Sequence, residues 1–132
     1  MPLISKNAKV TNTSSNPVPV VFDTKGDVTS QYNEVASTTL ETITVINFTV
    51  GVGKGVDLMC VECSGSNKAI FTVEINSSVI KKVRTWFCDF NAVMDFKLQS
   101  LSAGDNVRVI VENKTDMAAD FNSTLIYSEY DL

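Results

Sequence analysis

From Leu98 to Glu112 the chain reads Leu-Gln-Ser-Leu-Ser-Ala-Gly-Asp-Asn-Val-Arg-Val-Ile-Val-Glu, and this stretch restricts the fold class more than any other. A turn signal at Ala103-Gly104-Asp105 leads into Val107, Val109 and Val111, which alternate with Arg108, Ile110 and Glu112. Side chains that alternate at period two stand on opposite faces of a strand, so one valine face must be covered. The pattern predicts the penultimate strand of a β-sandwich, with the three valines in its core and Phe121 to Tyr130 closing beside it as a hairpin partner.

The same reading extends along the chain. Thr42 to Val50 is rich in β-branched residues, with Ile46, Phe48 and Val50 in one phase and Ile43 and Val45 in the other. That phase change predicts a bulge or a strand covered on both faces. Gly51 to Gly55 reads as a hairpin connector into the apolar run Val56 to Cys63. In Lys68 to Ile75 the residues Ala69, Phe71, Val73 and Ile75 point one way and Lys68, Thr72 and Glu74 the other, the signature of a strand with one wet face. Asn76-Ser77-Ser78 turns the chain into Val79 to Cys88, and Met94, Phe96 and Leu98 mark one more strand.

No amphipathic helix longer than a turn or two is visible; residues Asp116 to Asp120 form a loop or a single helical turn. About eight strands at regular spacing predict an all-β protein, a single antiparallel β-sandwich of jelly-roll or Ig-like topology. The sandwich domain is expected over 23–132. Residues 1–22 are expected to form an extended N-terminal arm and edge strand, with Lys9 to Asn12 a short strand within it. Pro17 and Pro19 in Pro17-Val18-Pro19-Val20-Val21-Phe22 remove ladder donors and confine that segment to an edge. Asp23 to Thr39 is polar throughout and reads as a surface excursion or contact arm.

The 132 residues suffice for one domain with a real core. A hydrophobic share of 44% and a mean hydropathy of +0.09 leave room for buried subunit contacts. The net charge of −4, with basic residues clustered only at Lys81, Lys82 and Arg84, argues against nucleic acid as a partner. No window is long and apolar enough for a membrane-spanning helix, and Met1 to Val10 lacks the apolar middle of a secretory signal, so synthesis and retention in a cytoplasm are expected. Three cysteines do not make a disulfide framework. Asn-x-Ser/Thr triplets begin at Asn12, Asn47, Asn76, Asn113 and Asn122, and in a chain without an export signal they read as by-products of an Asn-, Ser- and Thr-rich composition.

Candidate chemistry is sparse. Histidine is absent, which removes Ser-His-Asp and Cys-His nucleophile systems and the commonest metal ligand. Cys60 and Cys63 have metal-like spacing, but within a strand residues three apart face opposite ways, so both read as buried small hydrophobes. Lys54 among Gly51, Gly53 and Gly55 lacks the order and the following helix of a phosphate loop. Asp23 and Asp27 lack the further carboxylates of a calcium loop. The pairs Asp116/Asp120 and Glu129/Asp131 carry no cue for a hydrolase. Trp86, Tyr32, Tyr127 and Tyr130 are candidate ligand or interface aromatics, and Lys81, Lys82 and Arg84 read as a solvated strand face that discourages edge pairing. No catalytic residue, metal or cofactor is expected.

Two segments carry a resemblance. Lys9-Val10-Thr11-Asn12-Thr13, running to Asn16-Pro17-Val18-Pro19-Val20, resembles the N-terminal stretches of small virion proteins of tailed bacteriophages, in tail-tip, collar and fibre-associated subunits. Leu101 to Val109, followed by Phe121 to Ile126, is similar to the closing strands of jelly-roll and related sandwich domains. The resemblance implies a non-enzymatic structural subunit in the tail or on the particle surface, made in the host cytoplasm. Its partners would be its own copies and other virion proteins. It departs from fibre proteins in lacking repeats or a coiled coil, so a collar, tail-tip or decoration subunit fits better. Pro17, Val18, Pro19, Val20 and Phe22 would then be the assembly arm, clasping a neighbour in a ring. The alternative is a sandwich module that binds a host glycan or receptor through Trp86 and the tyrosines.

Overall fold

The computed structural model describes residues 26–85 and 91–132. These form eight strands: β1 (Asp27–Ser37), β2 (Thr42–Thr49), β3 (Lys54–Gly65), β4 (Ala69–Ile75), β5 (Ser78–Thr85), β6 (Asn91–Ser102), β7 (Asn106–Asn113) and β8 (Ala119–Asp131). One antiparallel sheet runs β1-β8-β3-β6 and the other β2-β7-β4-β5. Strand one thus lies beside eight and three beside six in one sheet, while two lies beside seven and four beside five in the other. That nested order is a long folded ribbon rolled into two layers, the jelly roll, and not the ABED/CFG order of immunoglobulin domains.

Where one face is buried, alternation sets the register. In β4 the buried residues are Ala69, Phe71, Val73 and Ile75, as their spacing predicts. In β7 Val107, Val109 and Val111 have no exposed surface. They face Phe121, Leu125 and Tyr127 of the opposite sheet in one core cluster. Across that core Phe71 meets Phe121 edge to face, with ring centroids 5.9 Å apart, and Phe48 meets Tyr127 at 4.7 Å. Burying such a side chain contributes about 2–3 kcal/mol.

The phase change in β2 is a bulge. Register slips between Thr44 and Ile46, so Val45 is the extra residue, and Val45 and Ile46 are both buried.

Three expectations are corrected. Asp27–Ser37 is not an irregular excursion but β1, held along its whole length by β8. Gly51 to Gly55 is not a hairpin: Lys54 N–H donates to Gly51 O at 3.2 Å in a tight turn whose third residue, Gly53, has φ +76°, and this turn carries the chain from one sheet to the other. Nor do β7 and β8 form a hairpin, since they lie in opposite sheets. Among the described connections the only hairpin is Asn76-Ser77, both at positive φ, as a two-residue turn between right-twisted strands requires. The segment Asp116 to Asp120 is a loop as far as Ala118 and then the first two residues of β8.

Asparagines tie the two ends of the sandwich. At one end Asn76 Nδ2 donates to Asp105 Oδ1 at 2.9 Å and Asn106 N–H to Asn76 Oδ1 at 2.9 Å. At the other Asn113, with no exposed surface, donates through Nδ2 to Thr38 O and to Met117 O at 3.0 Å. Its Oδ1 accepts from Thr115 N–H at 3.0 Å and Thr115 Oγ1 at 2.7 Å. One buried amide therefore pins the β1–β2 arch to the β7–β8 arch, and such burial closes Asn113 to glycosylation.

Candidate functional site: the sheet edges

The described residues among those singled out from sequence do not converge on one surface. Tyr127 lies in the core at 3% exposure, where its hydroxyl accepts from Gln31 Nε2 at 3.2 Å; it is removed from any ligand surface. Its phase in β8, shared with Phe121 and Leu125, carried that information. Tyr130 is half-buried, with its ring over Gly55, where a Cβ would come within 2.4 Å of it. Tyr32 stands 60% exposed on β1. Trp86 and the arm residues Pro17, Val18, Pro19, Val20 and Phe22 lie outside the described residues, as do Asp23 and the Lys9 to Asn12 strand.

Cys60 is half-buried and Cys63 buried, both as free thiols on opposite faces of β3. Burial pushes the Cys63 thiol up to about 11, so it stays protonated and inert at neutral pH. Among the described residues no group of three or more His, Cys, Asp or Glu side chains could hold a metal ion. Three carboxylates are engaged structurally. Asp131 is paired with Lys54, which holds its carboxyl below the usual range. Asp105 is lowered by the Ser102 backbone N–H and then by Asn76. Glu74 binds Arg108 at 2.7 Å.

What the fold leaves available is its edges. Each sheet has two outermost strands, β1 and β6 in one, β2 and β5 in the other, and these meet at the two open sides of the sandwich. On the first side Asn33 Nδ2 of β1 donates to Val45 O, the bulge carbonyl of β2, at 2.8 Å. On the second Lys81 Nζ of β5 donates to Asp95 O of β6 and sits 5.3 Å from the Phe96 ring centroid. Asp95 borders a wide bulge: Leu58 pairs with Gln99 and Cys60 with Asp95, so three residues of β6 oppose Met59. Two of them, Lys97 and Leu98, have φ of +51° and +59°, a conformation that costs roughly 1–2 kcal/mol per non-glycine residue.

Three of the four outer strands are thus interrupted: β2 at Val45, β6 at 96–98, and β5 at Ile80, where Val73 pairs with Lys81 and Glu74 with Val79. Strand β1 is not. Its pairs run without a slip from Asp27↔Glu129 to Ser37↔Ala119, and Asp27 to Glu34 are exposed on both faces. On its outward face Val28 is 56% and Tyr32 60% exposed. The Tyr32 hydroxyl donates to Glu34 Oε2 at 3.3 Å, and its own ionisation is pushed up by desolvation and then by the Glu34 charge.

A hollow of about 230 Å³ on the outward side of the same sheet is lined by Glu62, Ser64, Asn91, Val93, Asn122 and Thr124. Ser64 Oγ donates to Asn122 Oδ1 within it at 2.9 Å, and Tyr32 pairs in register with Thr124 at its border. Such groups are able to donate and accept hydrogen bonds. No family model and no curated protein matches this chain.

Proposed function

We propose that this chain is a non-enzymatic structural subunit of a tailed-phage virion, assembling as a homo-oligomer, a ring or collar, in the tail or on the particle surface. The observation that carries the reading is β1: a long outer strand with no interruption, exposed on both faces over Asp27 to Glu34, and continuous in sequence with the proline-containing arm. Strand edges of this kind associate unless they are blocked, and extended segments add to them through main-chain hydrogen bonds. The resemblance of Lys9 to Val20 to phage virion subunits gives the assembly its setting, and synthesis in the host cytoplasm goes with it. The test is the mass of the full chain in solution beside a variant lacking 1–22. The reading expects a large species for the first and a folded but assembly-deficient protein for the second; equal oligomerisation of the two counts against the arm.

A second reading, binding of a host glycan or receptor, is favoured by the hollow beside Tyr32. Its lining sets amide, hydroxyl and carboxylate groups beside Ala92 and Val93, which suits a ligand that has both hydroxyl groups and apolar faces, and an exposed tyrosine ring at the border offers a stacking surface. A saturable signal on a glycan array that falls on Tyr32→Ala supports it, and an array without signal removes it.

A further inference from the structure

Which backbone groups β1 turns to its free edge follows from β8. At the two ends of β8, Ser66 N–H donates to Asp120 O at 2.9 Å and Leu132 N–H donates to Gly53 O at 3.0 Å. Even-numbered residues of β8 therefore direct their backbone groups toward β3, and odd-numbered ones toward β1. Pairing joins odd to odd, from Asp27↔Glu129 to Val35↔Phe121. Strand β1 thus spends its odd residues on β8, and Val28, Ser30, Tyr32 and Glu34 present N–H and C=O groups to the edge that no other strand among the described residues pairs with. The same residues carry the outward side chains, including both exposed apolar ones, Val28 and Tyr32.

Two copies of such an edge can pair antiparallel about a two-fold axis. The exposed segment, Asp27 to Glu34, puts that axis at its middle, on residue 30 or 31, because hydrogen-bonding residues must face one another. An axis on Gln31 would set Val28 against Glu34. An axis on Ser30 sets Val28 against Tyr32 of the second copy and Tyr32 against Val28, a β-branched and aromatic cross-strand pair on each side. It also opposes Asp27 with Asn33, so no like charges meet.

We infer that β1 is a two-fold interface between copies of this chain, pairing antiparallel about Ser30 so that the two outer sheets join into one of eight strands. The inference rests on the homo-oligomeric reading above and adds to it an even number of copies.

The experiment measures self-association of the full chain by sedimentation. Ser30→Pro removes an edge donor without touching a β1–β8 hydrogen bond and is expected to weaken association at least tenfold with an unchanged circular dichroism spectrum. Tyr32→Lys, which replaces the aromatic partner of Val28 with a charged side chain, is expected to do the same if the proline variant fails to fold. Ser30→Cys is expected to give a disulfide-linked dimer through residue 30, since hydrogen-bonded antiparallel pairs stand about 5.5 Å apart at Cα, within disulfide reach. A link through Gln31→Cys in place of Ser30→Cys overturns the register. An oligomer indifferent to both Ser30→Pro and Tyr32→Lys overturns the interface and leaves the subunit reading standing. A full chain that stays monomeric at all concentrations overturns both.

Discussion

Strands β1 and β5 occupy equivalent places, each outermost in its sheet and each exposed on both faces over most of its length, yet they are built in opposite ways. Strand β5 is short, bulged at Ile80 and carries Lys81, Lys82 and Arg84. A second chain approaching that edge meets irregular backbone and positive charge. Strand β1 has eleven residues, no bulge, no lysine and no proline. Among the described residues the same jelly roll thus interrupts one outer strand and leaves the other regular, and the difference lies in length, one bulge and a few side chains rather than in topology.

Both strands depend on the core beneath them, so the largest expected effect does not discriminate. Val109→Asp sets an unpaired charge among fully buried side chains, at a cost above about 4 kcal/mol, and loss of the native circular dichroism spectrum and of cooperative unfolding would register it. Asn113→Ala separates the two regions. It removes the bonds that pin the β1–β2 arch and leaves buried partners unsatisfied, at about 2–4 kcal/mol. Hydrogen exchange should rise at Ser37 to Glu41 and at Lys114 to Met117 while β5 is unchanged; equal loosening of β5 would break the distinction.

Next come the side chains that close the two open flanks. Asn33→Ala uncaps the Val45 carbonyl and should lower stability by about 1 kcal/mol. Lys81→Met, at an exposed site, should cost less than Asn33→Ala in the same thermal denaturation series. The smallest expected change in stability, within about 0.5 kcal/mol, belongs to Lys82→Thr combined with Arg84→Thr. Introduced beside Ser30→Pro, this pair should produce new self-association through β5, read by sedimentation. If none appears, the Ile80 bulge alone protects that edge.

Sequence patterning reached the two regions unequally. Strands β4 and β7 were legible because burial on one face forces a period of two, and the β2 bulge was legible because an inserted residue shifts that period at Val45. Strand β1 was not, since Asp27 to Glu34 are covered on neither face and nothing selects apolar residues at alternate positions; β8 imposes their extended conformation from outside. The turns at Gly51 to Lys54 and Ala103 to Asp105 have residues that serve a hairpin or an arch equally well, so the sheet to which each strand belongs was hidden. The role of Asn113 was hidden as well. Its partners at Ser37, Thr38 and Met117 come from the end of β1 and from two separate loops that no local spacing connects.

The place of β8 sets the order in which the molecule can be completed. It is the last of the eight strands to be synthesised, yet it lies between β1 and β3, and β1 pairs with no other strand among the described residues. On a ribosome the first strand must therefore wait for the last, with roughly ninety residues between paired positions such as Gln31 and Leu125. During that interval both of its edges are open. If copies pair through β1 as proposed, a nascent chain that met a second copy before β8 emerged would have β1 ready to pair on the wrong side, and assembly would depend on β8 arriving before the neighbour does.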